Sequence, residues 1–237
     1  SVLAVSTFMR FSNDTGKYVA HYTRLDIAVD HILKNKSLRF GPLIATNDPR
    51  ETQMWQFAIG TSRSKENSPF SEKLKLLAKR NPDYNRLLKG GCKILCVSQD
   101  EEDALKLDFS KRACGKPRMW AQYAENHRGV CLLFDKHILH ETLEKNFGRD
   151  ALFCGSVAYD NFHDIISPGW PEHMNAFMLS GDDIAADGLE NILRRHRDKY
   201  HDFFFFRKNK DWASETEYRW IVRGNSNDPV FIPRKNS

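Results

Sequence analysis

The strand-like segments of this sequence are short and irregularly spaced, and this spacing limits the folds that the chain can adopt. Runs such as "GVCLLFDK" and "EYRWIV" are apolar and rich in β-branched or aromatic residues, which is typical of buried strands. Helix-like segments lie between them without the regular strand–helix alternation of a doubly wound sheet. The pattern predicts an α+β fold with a central, mostly antiparallel β-sheet, continuous or split, flanked by helices.

The length and composition of the chain fit one domain. Its 237 residues are 41% hydrophobic and 28% charged, which suffices for a single buried core. We therefore expect one domain over residues 1–237, with a surface excursion at 61–71 and a helical insertion at 161–205.

The apolar runs and the cysteines bear on the compartment. No apolar run approaches the ~18 residues of a membrane-spanning helix. The segment "SVLAVSTFMRFSND" has no basic region before its apolar run, so we expect no signal peptide. The five cysteines form no C-x-x-C pair, which favours free thiols over a zinc site. We expect a cytoplasmic protein with no membrane contact and no bound metal.

The net charge bears on partners. It is +5, with a pI near 8.9, which permits a nucleic-acid or nucleotide partner. The densest basic groups are "RRHRDK" and "FRKNKD", and a solvated helix face explains the first as well as phosphate binding does. A nucleic acid and a protein therefore both remain candidate partners, and the oligomeric state stays open.

The stretch "AHYT" places polar side chains where a strand is expected to end. His21 and Tyr22 close the strand, and Thr23 is positioned to cap the helix that follows. A neutral imidazole can bind a ribose hydroxyl or a carboxamide, and a tyrosine can stack on a ring. The alternative is a buried histidine that is bonded to the backbone.

Two further stretches carry polar candidates. In "NDPRE", Asn47, Asp48 and Glu51 either form a turn and cap a helix or belong to a loop over a pocket. In "PRMWAQYAENHRG", a helix from Pro117 to Gly129 would place three side chains on one face, namely Trp120, Tyr123 and His127. Such a stripe is either core or part of a site.

The stretch "SETEYR" puts two carboxylates and a guanidinium at alternate positions. In a strand, Glu215, Glu217 and Arg219 would share one face, while Tyr218 and Trp220 would point into the other layer. One interpretation is an exposed polar face with weak ion pairs. The other is a row of charges in a cleft, where one carboxylate steadies a developing positive charge and the other orients or deprotonates a nucleophile.

Together these stretches resemble a bacterial family, the domain of unknown function 2971. The resemblance covers residues 18–222 and rests on "HYT", "NDPRE", "MWAQYAENHRGVCLLFD", "VAYD" and a spaced motif. The residues of that motif are Lys208, Trp212, Glu215, Glu217, Tyr218 and Arg219. The family names no reaction.

A weaker resemblance links the chain to the ADP-ribosyltransferase superfamily, and it implies an ADP-ribosyltransferase-like fold with NAD as co-substrate. By this resemblance His21 would hold NAD, Glu217 would stabilise the oxocarbenium ion as nicotinamide leaves, and Glu215 would activate the acceptor. The residue that shapes the nicotinamide pocket stays open among Ser98, Tyr123 and Tyr159. The remaining candidates for NAD binding are Tyr22, Thr23, Trp120 and Arg219.

Three functions follow as hypotheses. The first is an NAD-dependent ADP-ribosyltransferase that modifies a macromolecule, in the manner of a bacterial toxin or a phage-defence effector. The second is a non-catalytic domain that binds a nucleotide, a nucleic acid or a protein. The third is a metal-dependent nuclease, in which acidic side chains hold the metal and a lysine neutralises phosphate. Its residues would be Asp48, Glu51, Glu215 and Glu217, with Lys208 or Lys210.

Overall fold

The computed structural model describes residues 15–52, 54–60, 79–102, 104, 108–160, 175–223 and 230–231. Its described residues fall into two compact units. Unit 1 draws on the ranges 1–41, 93–157 and 211–237, and unit 2 on 42–92 and 158–210. The expected excursion at 61–71 lies outside the described residues, and the single domain over 1–237 stays a prediction.

The elements are numbered along the chain. The strands are β1 (Tyr18–Thr23), β2 (Ser37–Leu38), β3 (Gly41–Pro42), β4 (Ala58–Gly60), β5 (Cys92–Ser98), β6 (Val130–Asp135), β7 (Leu152–Ser156), β8 (Ala158–Asp160), β9 (Met178–Ser180), β10 (Arg207–Asn209), β11 (Glu217–Arg223) and β12 (Val230–Phe231). The α-helices are α1 (Pro49–Thr52), α2 (Asn81–Lys89), α3 (Pro117–Tyr123), α4 (Lys136–Phe147), α5 (Gly181–Asp187), α6 (Leu189–Lys199) and α7 (His201–Phe205). A π-helix spans Ile27–Leu33, and the longest 3-10 helix spans Lys210–Glu215.

A six-stranded sheet forms the framework of unit 1. Its order is β6-β1-β5-β11-β7, and β3 also pairs with β5. Strand β1 is antiparallel to both β5 and β6, and β11 is antiparallel to β7. The expected α+β fold with a mostly antiparallel sheet is therefore confirmed.

The two faces of this sheet carry different cores, because successive side chains of a strand point to opposite faces. Core A lies on one face and is made of Val19, Ala28, Ile32, Leu38, Phe40, Leu95, Val97, Leu132, Leu139, Leu143, Trp220 and Val222. Core B lies on the other and is made of Ala20, Tyr22, Ala113, Met119 and Ala124. Tyr218 packs against core A, so the predicted inward direction of Tyr218 and Trp220 is confirmed.

Helix α3 begins at Pro117, as its sequence predicts, but it ends at Tyr123 and not near Gly129. Residues Glu125, Asn126 and His127 all have positive φ, which no continuing helix allows. These residues turn the chain so that Gly129 passes close to the backbone of Thr23. A Cβ on Gly129 would lie 2.3 Å from that carbonyl oxygen. The expected helical position of His127 is therefore wrong.

The start of the first helical segment also differs from the expectation. Thr23 belongs to β1 and is buried, so its predicted role as a helix cap is wrong. Asp26 takes that place, because its carboxylate accepts a hydrogen bond from the backbone N–H of Ile27 at 2.9 Å.

Unit 2 has an aromatic core. The Trp55 ring stacks on Phe204 with 4.8 Å between the ring centroids, and Phe57 packs edge-on against Tyr84. The side chain of Asn85 pairs with both backbone groups of Trp55, at 2.8 Å each. Strand β4 runs parallel to β9, and β8 runs parallel to β10. Across the ranges that the structure describes, no helix has the length and apolarity needed to cross a membrane.

Candidate functional site

Glu217 and Arg219 form a buried ion pair on β11. They alternate with Trp220, which points into core A, and therefore lie on the opposite face of the sheet. Arg219 Nε donates to Glu217 Oε1 at 2.6 Å, and Nη2 donates to Oε2 at 3.1 Å. The Arg219 side chain is 0% exposed and the Glu217 side chain is 4% exposed. The predicted common face is confirmed, whereas the interpretation as an exposed polar face is wrong.

Glu215 lies in the 3-10 helix Lys210–Glu215 and not in the strand, which corrects the expected alternation over three residues. The cause is Thr216, whose φ of 43° interrupts the extended backbone before β11 begins. A β-branched residue seldom adopts this conformation. The Glu215 side chain is buried, and its Oε1 accepts a hydrogen bond from the Tyr123 hydroxyl at 2.8 Å.

Ser98, one of the three candidates for the residue that shapes the nicotinamide pocket, is the last residue of β5. It follows Val97, a core A residue, so its side chain is on the face that carries Glu217. The next residue, Gln99, donates its backbone N–H to the Thr216 carbonyl at 2.9 Å, which joins the end of β5 to the start of β11. Ser98 Oγ is buried without a hydrogen-bond partner among the described residues.

His21 and Thr23 lie on the other face. They lie two and four positions after Val19 and so share its face, and His21 is the cross-strand partner of Leu132, so both side chains are on the core A side. Burial lowers the pKa of His21 below its ordinary value, against the effect of a hydrogen bond to the Cys96 backbone. The structure therefore does not bring His21 and Glu217 together on one face.

Tyr22 belongs to core B, and Trp120 packs against it. Both side chains donate hydrogen bonds to backbone carbonyls. The Tyr22 hydroxyl donates to the Ala113 carbonyl at 2.7 Å, and burial raises the pKa of this hydroxyl. Trp120 Nε1 donates to the Cys114 carbonyl at 2.9 Å, and the two rings meet edge to face at 5.4 Å. These contacts fix the helix that carries Tyr123.

The remaining candidates are one residue of unit 1 and four residues of unit 2. His127 is exposed in the turn after α3. Asn47, Asp48, Glu51 and Tyr159 belong to unit 2.

Within unit 2, the surroundings of Glu51 include a buried lysine. Asp48 and Glu51 are both buried, and the Glu51 carbonyl accepts a hydrogen bond from Lys89 Nζ at 2.8 Å. That ammonium group lies 4.0 Å from the centroid of the Trp55 ring.

The hypothesis of a metal-dependent nuclease requires several oxygen ligands that converge on one metal ion. Within the described ranges, no three His, Cys, Asp or Glu side chains are grouped so that they could hold a metal ion. The described residues thus provide no ligand set for this hypothesis.

Sequence reasoning missed Arg118 and Thr216. Arg118 Nη1 donates to the carbonyl of Asp211 at 2.7 Å and to the hydroxyl of Ser214 at 3.3 Å. Neither residue has a sequence pattern that indicates its role, because the contacts of Arg118 are about 93 positions away and threonine rarely has positive φ.

Two side-chain pairs lie at the start of β11, Tyr123–Glu215 and Glu217–Arg219, and each has a definite chemical capacity. Two-point pairing with Arg219 fixes the direction of the Glu217 carboxylate. In surroundings with little water, such a carboxylate stabilises positive charge more strongly than it would in water. Glu215, held by a neutral hydroxyl, has the character of a proton acceptor.

The match to known families covers part of the chain. Residues 119–220 match the sequence model of DUF2971, whose description is "Protein of unknown function", and this confirms the expected resemblance over that range. The matched range runs from α3 to β11 and includes Tyr123, Glu215, Glu217 and Arg219. Searches of the curated proteins and of the solved structures found no match.

Proposed function

We propose that the protein is an NAD-dependent ADP-ribosyltransferase-like enzyme that modifies a macromolecule, either a nucleic acid or a protein. In this proposal Glu217 stabilises the positive charge on the ribose, and Glu215 accepts the proton of the attacking group. Ser98 binds the carboxamide of nicotinamide, and Tyr123 and Arg219 orient the two carboxylates. A role as a toxin or a phage-defence effector is part of the proposal.

The observation that carries the proposal is the buried Glu217 carboxylate, whose direction is fixed by two hydrogen bonds from Arg219. Breaking the bond between ribose and a cationic leaving group needs little acid catalysis, but it needs negative charge close to the ribose. The Arg219 guanidinium holds both oxygens of Glu217, so the carboxylate needs little reorganisation when the charge develops. Ser98 Oγ, buried without a partner among the described residues, is suited to pair with a carboxamide.

NAD is the substrate in this reaction, and the bond between its nicotinamide nitrogen and the ribose C1′ breaks with the electron pair passing to nitrogen. The acceptor bonds to C1′, and its proton passes to Glu215. Because Glu217 is 4% exposed, the chain that covers it must move before substrate can reach it. The proposal therefore includes an opening of this face on binding.

The test uses NAD labelled in its adenylate part, with DNA, RNA and cell lysate as separate acceptors. Nicotinamide release and label transfer by the wild-type protein are expected, and the labelled fraction identifies the class of acceptor. Absence of both with every acceptor would contradict the proposal.

A test of the catalytic role of Glu217 needs a variant that still folds. Glu217→Gln removes the carboxylate charge from the pair with Arg219, and the loss of one member of a buried ion pair destabilises proteins strongly. The double variant Glu217→Leu/Arg219→Met removes the whole ion pair and is expected to fold, because replacing a buried pair with apolar residues is often neutral. It is expected to lose nicotinamide release, and full activity in this folded variant would refute the assignment.

A second function is a non-catalytic domain that binds a nucleotide. It is favoured by one observation, the near-complete burial of both side chains of the ion pair, which is also typical of a structural pair. On this alternative, NAD or another nucleotide raises the melting temperature of the wild-type protein without any nicotinamide release. The Glu215→Gln variant would then bind as tightly as the wild type.

A further inference from the structure

Arg118 is not among the candidate residues that the sequence singles out, yet it contacts the segment that carries Glu215. Its guanidinium donates hydrogen bonds to Asp211 O and Ser214 Oγ and lies 5.5 Å from the ring centroid of Trp212. All three partners belong to the 3-10 helix Lys210–Glu215. One exposed side chain of α3 thus holds this short helix at several points.

The same α-helix also holds the other end of the segment. Tyr123, at the last position of α3, donates to Glu215, at the last position of the 3-10 helix. A 3-10 helix has weak internal hydrogen bonds, so contacts from outside largely decide where it lies. Thr216 follows with positive φ, a conformation that costs free energy and persists only when its surroundings hold it.

We infer that Arg118 is a positioning residue for Glu215, an inference that rests on the proposed function. Glu217 is held differently, because it lies in β11 and is bound by Arg219. Loss of Arg118 therefore displaces Glu215 and leaves Glu217 in place. Transfer to an acceptor, which uses both carboxylates, then depends on Arg118. Cleavage of NAD by water depends mainly on Glu217, because water that adds to the oxocarbenium ion can pass its proton to solvent.

The test compares these two reactions in three variants. Arg118→Gln removes the charged fork, and Arg118→Lys restores a charged donor. Arg128→Gln is the matched control, because Arg128 is exposed shortly after α3 and pairs with Glu125 in its own turn. In Arg118→Gln, label transfer is expected to fall at least about tenfold, while nicotinamide release in water stays within about twofold of the wild-type rate.

The variants separate positioning from a general loss of structure. Arg118→Lys is expected to recover part of the transfer, and Arg128→Gln is expected to behave as the wild type. If both reactions fall together in Arg118→Gln, or if neither changes, the inference is overturned, because positioning affects only the step that uses Glu215.

Hydrogen exchange at two backbone amides tests the role of Arg118 even if the protein does not turn over NAD. The Thr216 N–H donates to the Ala213 carbonyl at 3.1 Å, and the Gln99 N–H donates to the Thr216 carbonyl at 2.9 Å. Arg118→Gln is expected to speed hydrogen exchange at both amides by about tenfold, and Arg128→Gln is not. A wild-type protein without turnover would refute the proposed function, and unchanged exchange in Arg118→Gln would refute the role of Arg118.

Discussion

Arg219 holds both carboxylate oxygens of Glu217 across two positions of one strand, with Nε–Oε1 at 2.6 Å and Nη2–Oε2 at 3.1 Å. Two charges of opposite sign are thereby removed from water together. Removing two charges from water is costly, and their mutual attraction offsets this cost only when the geometry is good. The pair is consequently sensitive to the loss of one partner and tolerant of the loss of both.

Arg219→Ala is expected to lower the free energy of unfolding by about 3–5 kcal/mol, because it removes the guanidinium that binds both oxygens of the buried Glu217 carboxylate. The double variant Glu217→Leu/Arg219→Met is expected to stay within about 1 kcal/mol of the wild type. Urea unfolding measures both. Arg128→Ala, on the exposed surface, serves as the control and should change stability by less than about 0.5 kcal/mol. If Arg219→Ala lowers the free energy of unfolding by less than about 1 kcal/mol, the interpretation that the two buried charges depend on each other is wrong.

Thr216→Gly is expected to stabilise the protein by about 1 kcal/mol relative to Thr216→Ala, because only glycine adopts positive φ without a steric penalty. Both substitutions remove the hydroxyl, so the comparison isolates the effect of the Cβ. Thermal and urea unfolding of the two variants provide the measurement. Equal stabilities would show that the backbone at this position carries no strain.

Lys89 is expected to make stability depend on pH in the alkaline range. Burial lowers its pKa from 10.5 to about 8, against the effect of the nearby Glu51 carboxylate. Between these two values the unfolded chain binds more protons than the folded one, so stability rises with pH from about 8 to 10.5, by up to about 3 kcal/mol. Lys89→Met has no titrating group at this position and so lacks this contribution to the pH dependence of stability. Urea midpoints at several pH values should therefore diverge between the two proteins, and parallel curves would disprove the shift.

Cys154 is expected to react with iodoacetamide faster than Cys114 and Cys131. Its side chain is exposed, whereas burial raises the pKa of both other thiols and so lowers their thiolate fractions. Mass spectrometry of peptides after brief labelling at pH 8 gives the order of reaction. Cys154→Ser should abolish the rapid phase, and persistence of that phase would assign it to another cysteine.

The regular parts of unit 1 follow from local patterns. The alternation of Tyr218, Trp220 and Val222 predicts the inward face of β11, because a strand has a period of two wherever its backbone is extended. Pro117 predicts the start of α3, since its fixed φ and missing N–H suit the first turn. Both features depend on residues that are close in sequence.

The departures from local pattern are the parts that were missed. His127 fits a helical stripe in sequence, but consecutive residues with positive φ end α3 before it. Glu215 fits the strand alternation, but the backbone changes direction at Thr216. Asn126 is a residue type that favours positive φ and so is a local signal for the first turn, whereas no residue preference indicates the second, because threonine rarely adopts positive φ.

The sequence by itself determines the α+β class and the shared face of Glu217 and Arg219, because strand periodicity is a property of neighbouring residues. The tertiary structure decides which face is buried, which strands are adjacent and which distant side chains meet. It places His21 on the opposite face from Glu217, and it brings Arg118 and Tyr123 onto the segment of Glu215. These relations join residues that are far apart along the chain, and only the packing of the whole sheet fixes them.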